Sequence, residues 1–231
     1  MKKKENIEAS SNMSALIVSR LVMLSVLVFA ASFFFQKIQF VTADLGRFIQ
    51  NGALFFEEGE MLFSNHYSYT EPDYPFGNHH WGIGLIYYIV HKSIGFLGLS
   101  YLNMILIVSS IFLFVRTLRH NLELKYLSLA ILLCLPLINW RVEIRPEFFS
   151  YALLGVVYYF VWRFIHNKVP FKRLLIVVLP IMILWVNLHI FFVIGLSVIG
   201  AVWVCSIALR SYKAYSKELG ILFGASLLVC L

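Results

Sequence analysis

Long uninterrupted apolar runs dominate the chain, separated by short polar segments. Six of them, Ala15–Phe35, Gly98–Val115, Tyr126–Trp140, Phe148–Ile165, Leu174–Leu188 and Phe191–Leu209, approach the roughly 20 residues that a membrane-crossing helix needs. A seventh opens at Leu219 and stops at Leu231, too short to cross, so the chain reads as truncated. One segment breaks this rhythm, the stretch 37–97, which holds no full span. Within it, TADLGRFIQNGALFFEE places Leu45, Phe48, Ile49, Gly52, Phe55 and Phe56 at helical spacing, with Thr42 or Asp44 able to cap the first turn. That is the pattern of an amphipathic helix on a membrane surface, ended by Gly59. SNHYSYTEPDYPFGNHH follows as a loop rich in tyrosine, proline and turn residues. WGIGLIYYIVHKSIG is apolar but short and punctuated by glycine, so it is expected to dip into the interface without crossing on its own.

Composition agrees with the pattern. Hydrophobic residues make up 60% of the 231, charged residues 13%, and the mean hydropathy is +0.81, whereas soluble domains are about 45–50% apolar. The expectation is an all-α polytopic membrane protein forming a single domain over 1–231, with about six full transmembrane helices, a truncated seventh and a long first extracytoplasmic loop, 37–97. The run after MKKK resembles a secretory signal at Val28-Phe29-Ala30, but cleavage there would leave Phe33, Phe34 and Phe35 as an apolar stub, so it reads as an uncleaved helix. Cys134, Cys205 and Cys230 each sit inside an apolar run without CxxC spacing, which points to buried free thiols rather than a disulfide or a zinc site.

Charge then orients the chain. With the N-terminus in the cytoplasm, the inner segments hold fourteen basic and four acidic residues, and the outer segments hold five basic and eight acidic. The formal charge of +7 therefore divides into +10 inside and −3 outside, which fits the cytoplasmic retention of Lys and Arg and argues against nucleic-acid binding. On this topology the polar residues gather on one face. Asp44 follows the first helix; His79, His80 and Trp81 close the long loop; Arg141, Glu143 and Arg145 join the third and fourth spans; Asn187 and His189 end the fifth. The span interiors are almost free of charge.

The order DLGRFIQNG, YSYTEPDYPFGNHHWG, RPEFFSYALLGVVYYF and WVNLHIFFVIGL resembles the N-terminal half of bacterial GT-C glycosyltransferases of the protein O-mannosyltransferase-like clan. The shared landmarks are an Asp in the first outer loop, a Tyr-Ser/Thr-rich turn leading to Asn-His-x-Trp, an Arg-Pro before helix four and Trp-x-Asn-x-His near the end of helix five. The resemblance implies a GT-C-like enzyme of the cytoplasmic membrane that takes a sugar from a polyprenyl-phosphate donor to an acceptor hydroxyl of unspecified identity on the extracytoplasmic face. It implies that Asp44 is the base. A departing lipid phosphate calls for cations, which Arg141 and Arg145 supply in planar-fork form. His79, His80 and His189 offer hydrogen bonds to phosphate or sugar, Trp81 a stacking face, and Asn187 a further polar contact at the same end. Two departures stand out: Leu45 replaces the acid that follows the Asp in protein O-mannosyltransferases, and His80 replaces the Glu of Asn-His-Glu-Trp. The second removes a carboxylate and with it the support for a divalent metal, so no metal or other cofactor is expected.

Each residue also has a plainer role. Asp44 is a favoured helix cap, Arg141 and Arg145 can reach headgroups or pair with Glu143 and Glu147, and Arg141–Glu143 is the expected ion pair, with Arg145 the better phosphate ligand. His79 and His80 with His66 or Asp73 match no metal-ligand spacing. Asn187 and His189 can cap a helix end, Tyr87, Tyr88, Trp140 and Trp185 suit an interfacial aromatic belt, and Glu57, Glu58 and Glu60 suit a solvated turn. At the level of function the alternatives are a transporter or flippase for lipid-linked or small polar substrates, which repeated halves and midplane polar residues would mark, and a non-catalytic membrane subunit.

Overall fold

The structure, a computed structural model, describes residues 2–35, 38, 43–59, 63–65, 67–75, 77–78, 80–139 and 143–231. Among these residues eight α-helices carry the fold: α1 (Lys2–Phe34), α2 (Ala43–Ala53), α3 (Trp81–Leu118), α4 (Leu124–Asn139), α5 (Glu147–Ile165), α6 (Phe171–Leu188), α7 (Phe192–Ala208) and α8 (Ser216–Leu228). Among the described residues the only extended pairing is an isolated bridge between Ser64 and Pro75 in the long loop. Among the described residues four segments are long and apolar enough to cross a membrane, Met13–Phe34, Trp81–Leu118, Glu147–Ile165 and Phe171–Leu188; the apolar helices Leu124–Leu137 and Phe192–Ala208 are shorter. The protein is thus a helical, multi-pass membrane protein. Its outward surface fits lipid rather than water, since Leu21, Val28, Leu133 and Leu137 stand 57%, 61%, 67% and 78% exposed.

α3 shows how a chain of this composition handles excess length. Thirty-eight residues would make a straight rod of about 57 Å at 1.5 Å per residue, far more than the roughly 30 Å of a bilayer core. Gly95 interrupts it with φ 73° and ψ −159°, a backbone that a side chain would strain. Phe96 folds back against His91, with ring centroids 4.6 Å apart, so the segment Trp81–Ile94 is a separate limb. That limb packs on α2, where the two backbones almost touch. A Cβ at Gly52 would stand 2.2 Å from the Gly84 carbonyl oxygen, so only glycine admits this approach.

α2 is the amphipathic helix that the spacing predicts, extended by a π-helical turn, Leu54–Glu58, that ends at Gly59. It buries Leu45, Phe48 and Leu54 and leaves Phe56 and Glu58 exposed. Elsewhere, residue pairings fix the helix directions. Ala30 and Phe34 of α1 meet Ile107, Leu135 and Phe148, while Met23 meets Val115 and Leu127, so α1 and α4 run together and opposite to α3. α3 and α5 run parallel, as Ser110 bonds the Tyr151 carbonyl and Arg116 the Tyr159 hydroxyl. α5, α6, α7 and α8 share a further core around Val157, Val178, Met182, Trp185 and Ile199. Trp185 is fully buried there and Tyr87 nearly so, at 1%. Both are interior residues, not members of an aromatic belt at a membrane interface; Tyr88, 7% exposed, is interior as well.

Candidate functional site

One apolar cluster explains why distant polar residues meet. Leu45 and Phe48 of α2, Ile83 and Tyr87 of α3, Ile144 before α5, Phe149 of α5 and Leu188 of α6 pack together with Leu99. Each polar candidate lies within two or three residues of a member. Asp44 precedes Leu45, His80 and Trp81 precede Ile83, Arg145 follows Ile144, and Asn187 and His189 flank Leu188. Packing thus gathers Asp44, His80, Trp81, Arg145, Asn187 and His189 at one end of the bundle. His79 and Arg141, the other two candidates, lie outside the described residues, as do Thr42, Glu60, His66 and Trp140.

The charged members are already partnered. Asp44 sits in the first turn of α2, where a carboxylate suits the helix dipole, and its Oδ1 accepts from Arg47 Nη2 at 3.1 Å. Its side chain is 54% exposed, so the carboxylate faces out of the cluster. Arg145 donates to Glu143 Oε2 through Nε at 2.8 Å and Nη2 at 2.5 Å. Glu143 thus takes the arginine two residues ahead, while the expected Arg141–Glu143 pair falls outside the described residues. The bonds to Glu143 hold the Arg145 guanidinium still more firmly in its charged form, with the charges of Glu147 and Asp44 acting the same way. Asp44 is therefore near enough to Arg145 to be felt by it.

Beneath them lies a network that spacing alone does not reveal. The His80 and His189 rings stack at 5.3 Å, and Phe48 meets His80 edge-on at 5.7 Å. Ser150 Oγ lies 2.9 Å from His189 Nδ1 and accepts from Trp185 Nε1 at 2.9 Å. Because indole N–H only donates, Ser150 Oγ is an acceptor towards Trp185 and joins it to His189. Asn187 bridges two helices, accepting from Trp81 Nε1 at 2.8 Å and donating to the Ile183 carbonyl at 2.7 Å. His189 is the residue at which α6 stops, its backbone N–H bonding Trp185 O at 2.9 Å. His189 thus closes the helix end through its backbone, and the side chains of Asn187 and His189 stitch that end to α3 and α5.

Glu57 lies in the exposed turn before Gly59, as expected, but it has partners there. It accepts from the Tyr88 hydroxyl at 2.5 Å and from Lys92 at 3.2 Å, and these partners, the tyrosine first, lower its pKa. No group of three or more His, Cys, Asp or Glu able to hold a metal occurs among the described residues. The signal for Ser150 was its place in RPEFFS, one turn past Arg145; nothing in spacing marked Trp185 as its donor.

A groove opens beside this end. It has a volume of about 760 Å³ and lies between α3, α4 and α5, walled by Ile107, Ile111, Phe114, Leu127 and Ile131, with Arg145 and Glu147 as its charged lining. Compared with known proteins, the chain matches no protein-family model, no curated protein and no solved structure at significant similarity.

Proposed function

We propose that the protein is a GT-C-type membrane glycosyltransferase that moves a sugar from a polyprenyl-phosphate donor to an acceptor hydroxyl on the extracytoplasmic face. The observation that carries this reading is the apolar groove between α3, α4 and α5 with Arg145 in its lining, close to Asp44. A lipid-linked sugar phosphate needs an apolar wall for its chain, a cation for its phosphate and a base beside its sugar. Arg145 in the groove's lining and Asp44 at the same end of the bundle support this reading.

In the proposed reaction Asp44 takes the proton of the acceptor hydroxyl, whose oxygen forms the new bond to the anomeric carbon as the bond to the lipid phosphate breaks. The phosphate leaves with the bonding pair, and Arg145 stabilises it. Arg145 commits Nε and Nη2 to Glu143, so Nη1 meets the phosphate first, and full engagement requires Glu143 to yield. His80 packs on Phe48, one turn along α2 from Asp44, while Trp81, Asn187, Ser150 and Trp185 hold the ends of α3, α5 and α6 in register. No metal is assigned a role. The near absence of charge along the middle of the spans favours chemistry at the face over passage through the bundle.

The test is sugar release from a polyprenyl-phosphate-sugar by purified protein, with flux of the same compound across proteoliposomes measured in parallel. Release by wild type and a loss of about 10²–10⁴-fold in Asp44→Asn supports the reading. Flux without release would replace it with a transporter; equal release by both proteins would remove Asp44 as base.

A further inference from the structure

The opposite end of the bundle carries a second charged cluster that the proposed reaction does not use. Arg116, in the last turn of α3, donates from Nε to the Tyr159 hydroxyl at 3.0 Å, and Arg163 of α5 donates from Nη1 to the same oxygen at 3.4 Å. Both guanidiniums also lie over the Tyr159 ring, 5.8 Å and 5.5 Å from its centroid. Arg163 reaches on to the Lys168 carbonyl, and the Lys168 ammonium sits 4.4 Å from the Trp162 centroid, in contact with His120. His166 stacks on the same indole at 4.2 Å. Among the described residues no carboxylate lies within ion-pair reach of Arg116, Arg163 or Lys168.

We infer that this cluster binds the phosphate of an anionic membrane lipid in the leaflet opposite the candidate active site. Retention of basic residues on one side accounts for their number, but solvated and separate residues such as Lys172 and Arg173 meet that need. It does not account for two arginines from different helices converging on one neutral phenol, where they repel each other. A phosphate between them relieves that repulsion and takes up the guanidinium N–H groups that Tyr159 leaves open. The depth is right as well. Arg163 lies sixteen residues along α5 from Glu147, about 24 Å at 1.5 Å per residue, which places it near the far headgroups of a core about 30 Å thick. Trp162 beside it has the amphipathic character of interfacial residues. This inference is independent of the glycosyltransferase reading.

The experiment is native mass spectrometry of the whole protein after reconstitution in vesicles of phosphatidylglycerol and phosphatidylcholine, with thermal shift as a second readout. Wild type should retain phosphatidylglycerol in preference to phosphatidylcholine, and R116Q/R163Q should weaken its binding about tenfold or more. K172Q/R173Q, the same charge change on the same face, should not. R116K/R163K, which keeps the charge but loses the fork, should retain phosphatidylglycerol less well than wild type and serves also if the glutamine variant fails to fold. Equal loss in R116Q/R163Q and K172Q/R173Q, wild-type retention in R116K/R163K, or no preference between the two lipids in wild type would overturn the inference. Stabilisation by inorganic phosphate equal to that by phosphatidylglycerol would overturn the lipid assignment.

Discussion

The two ends of the bundle treat their cations in opposite ways. At the candidate-site end each described Lys or Arg has a carboxylate partner: Arg47 with Asp44 at 3.1 Å, Lys92 with Glu57 at 3.2 Å and Arg145 with Glu143 at 2.5 Å. At the other end Lys125 pairs with Glu123, but Arg116, Arg163 and Lys168 rest on tyrosine and tryptophan. Paired charges make a site that is nearly neutral at rest, where an anion must compete with a resident carboxylate and can be released after use. Arginines without carboxylates make a standing attraction. The first arrangement suits a substrate that turns over, the second a ligand that stays.

The largest effect that separates the ends comes from the pillar under the first. Trp185 fills the core between α5, α6 and α7 and donates to Ser150, which holds His189. Trp185→Ala should cost about 3–5 kcal/mol in unfolding experiments. Trp185→Phe should cost much less, and binding of phosphatidylglycerol at the far end should survive it. Next is Arg145→Ala, which removes a charge-assisted contact of about 1.5–3 kcal/mol and should raise the KM for a polyprenyl-phosphate donor about tenfold or more with thermal stability little changed. A change confined to stability would reduce Arg145 to an ion-pair partner of Glu143. Glu143→Gln should act in the opposite sense, lowering that KM, because the resident competitor is weakened.

The smallest effect concerns Glu57. Its folded pKa is lowered by the Tyr88 hydroxyl and Lys92, so its contribution to stability is present above the ordinary carboxylate value of about 4.3 and fades as pH falls through the lower folded value. Glu57→Gln should flatten that acid limb in a pH series of melting temperatures, lowering the melting temperature slightly at neutral pH and leaving the acid end, where the contribution is already lost, little affected. An unchanged acid limb would mean that the bonds to Tyr88 and Lys92 are not stabilising.

Much of this arrangement is legible in the chain. Apolar runs of helical length, the spacing of Leu45, Phe48 and Gly52, and the glycines around Trp81–Gly95 forecast α1 to α7, the amphipathic α2 and the broken α3, because hydropathy and glycine act locally. The gathering of Asp44, Trp81, Arg145 and Asn187 at one end also followed from counting helix directions. Side-chain partners did not. Whether Glu143 meets Arg145, whether Glu57 finds Tyr88, and whether Trp185 faces lipid or core all depend on how each helix is rotated against its neighbour. Spacing along one helix is silent on that rotation. Close contacts such as Gly52 against Gly84, and Trp185 against Gly195, where a Cβ would stand 2.5 Å from the indole, set it instead.

The proposed role of Asp44 as base in sugar transfer stands or falls on the initial rate of sugar release from a polyprenyl-phosphate-sugar, compared for wild type, Asp44→Asn and the exposed control Glu58→Gln. Wild type and Glu58→Gln should release sugar at equal rates, with a fall of about 10²–10⁴-fold in Asp44→Asn. Release by Asp44→Asn at the wild-type rate would contradict it.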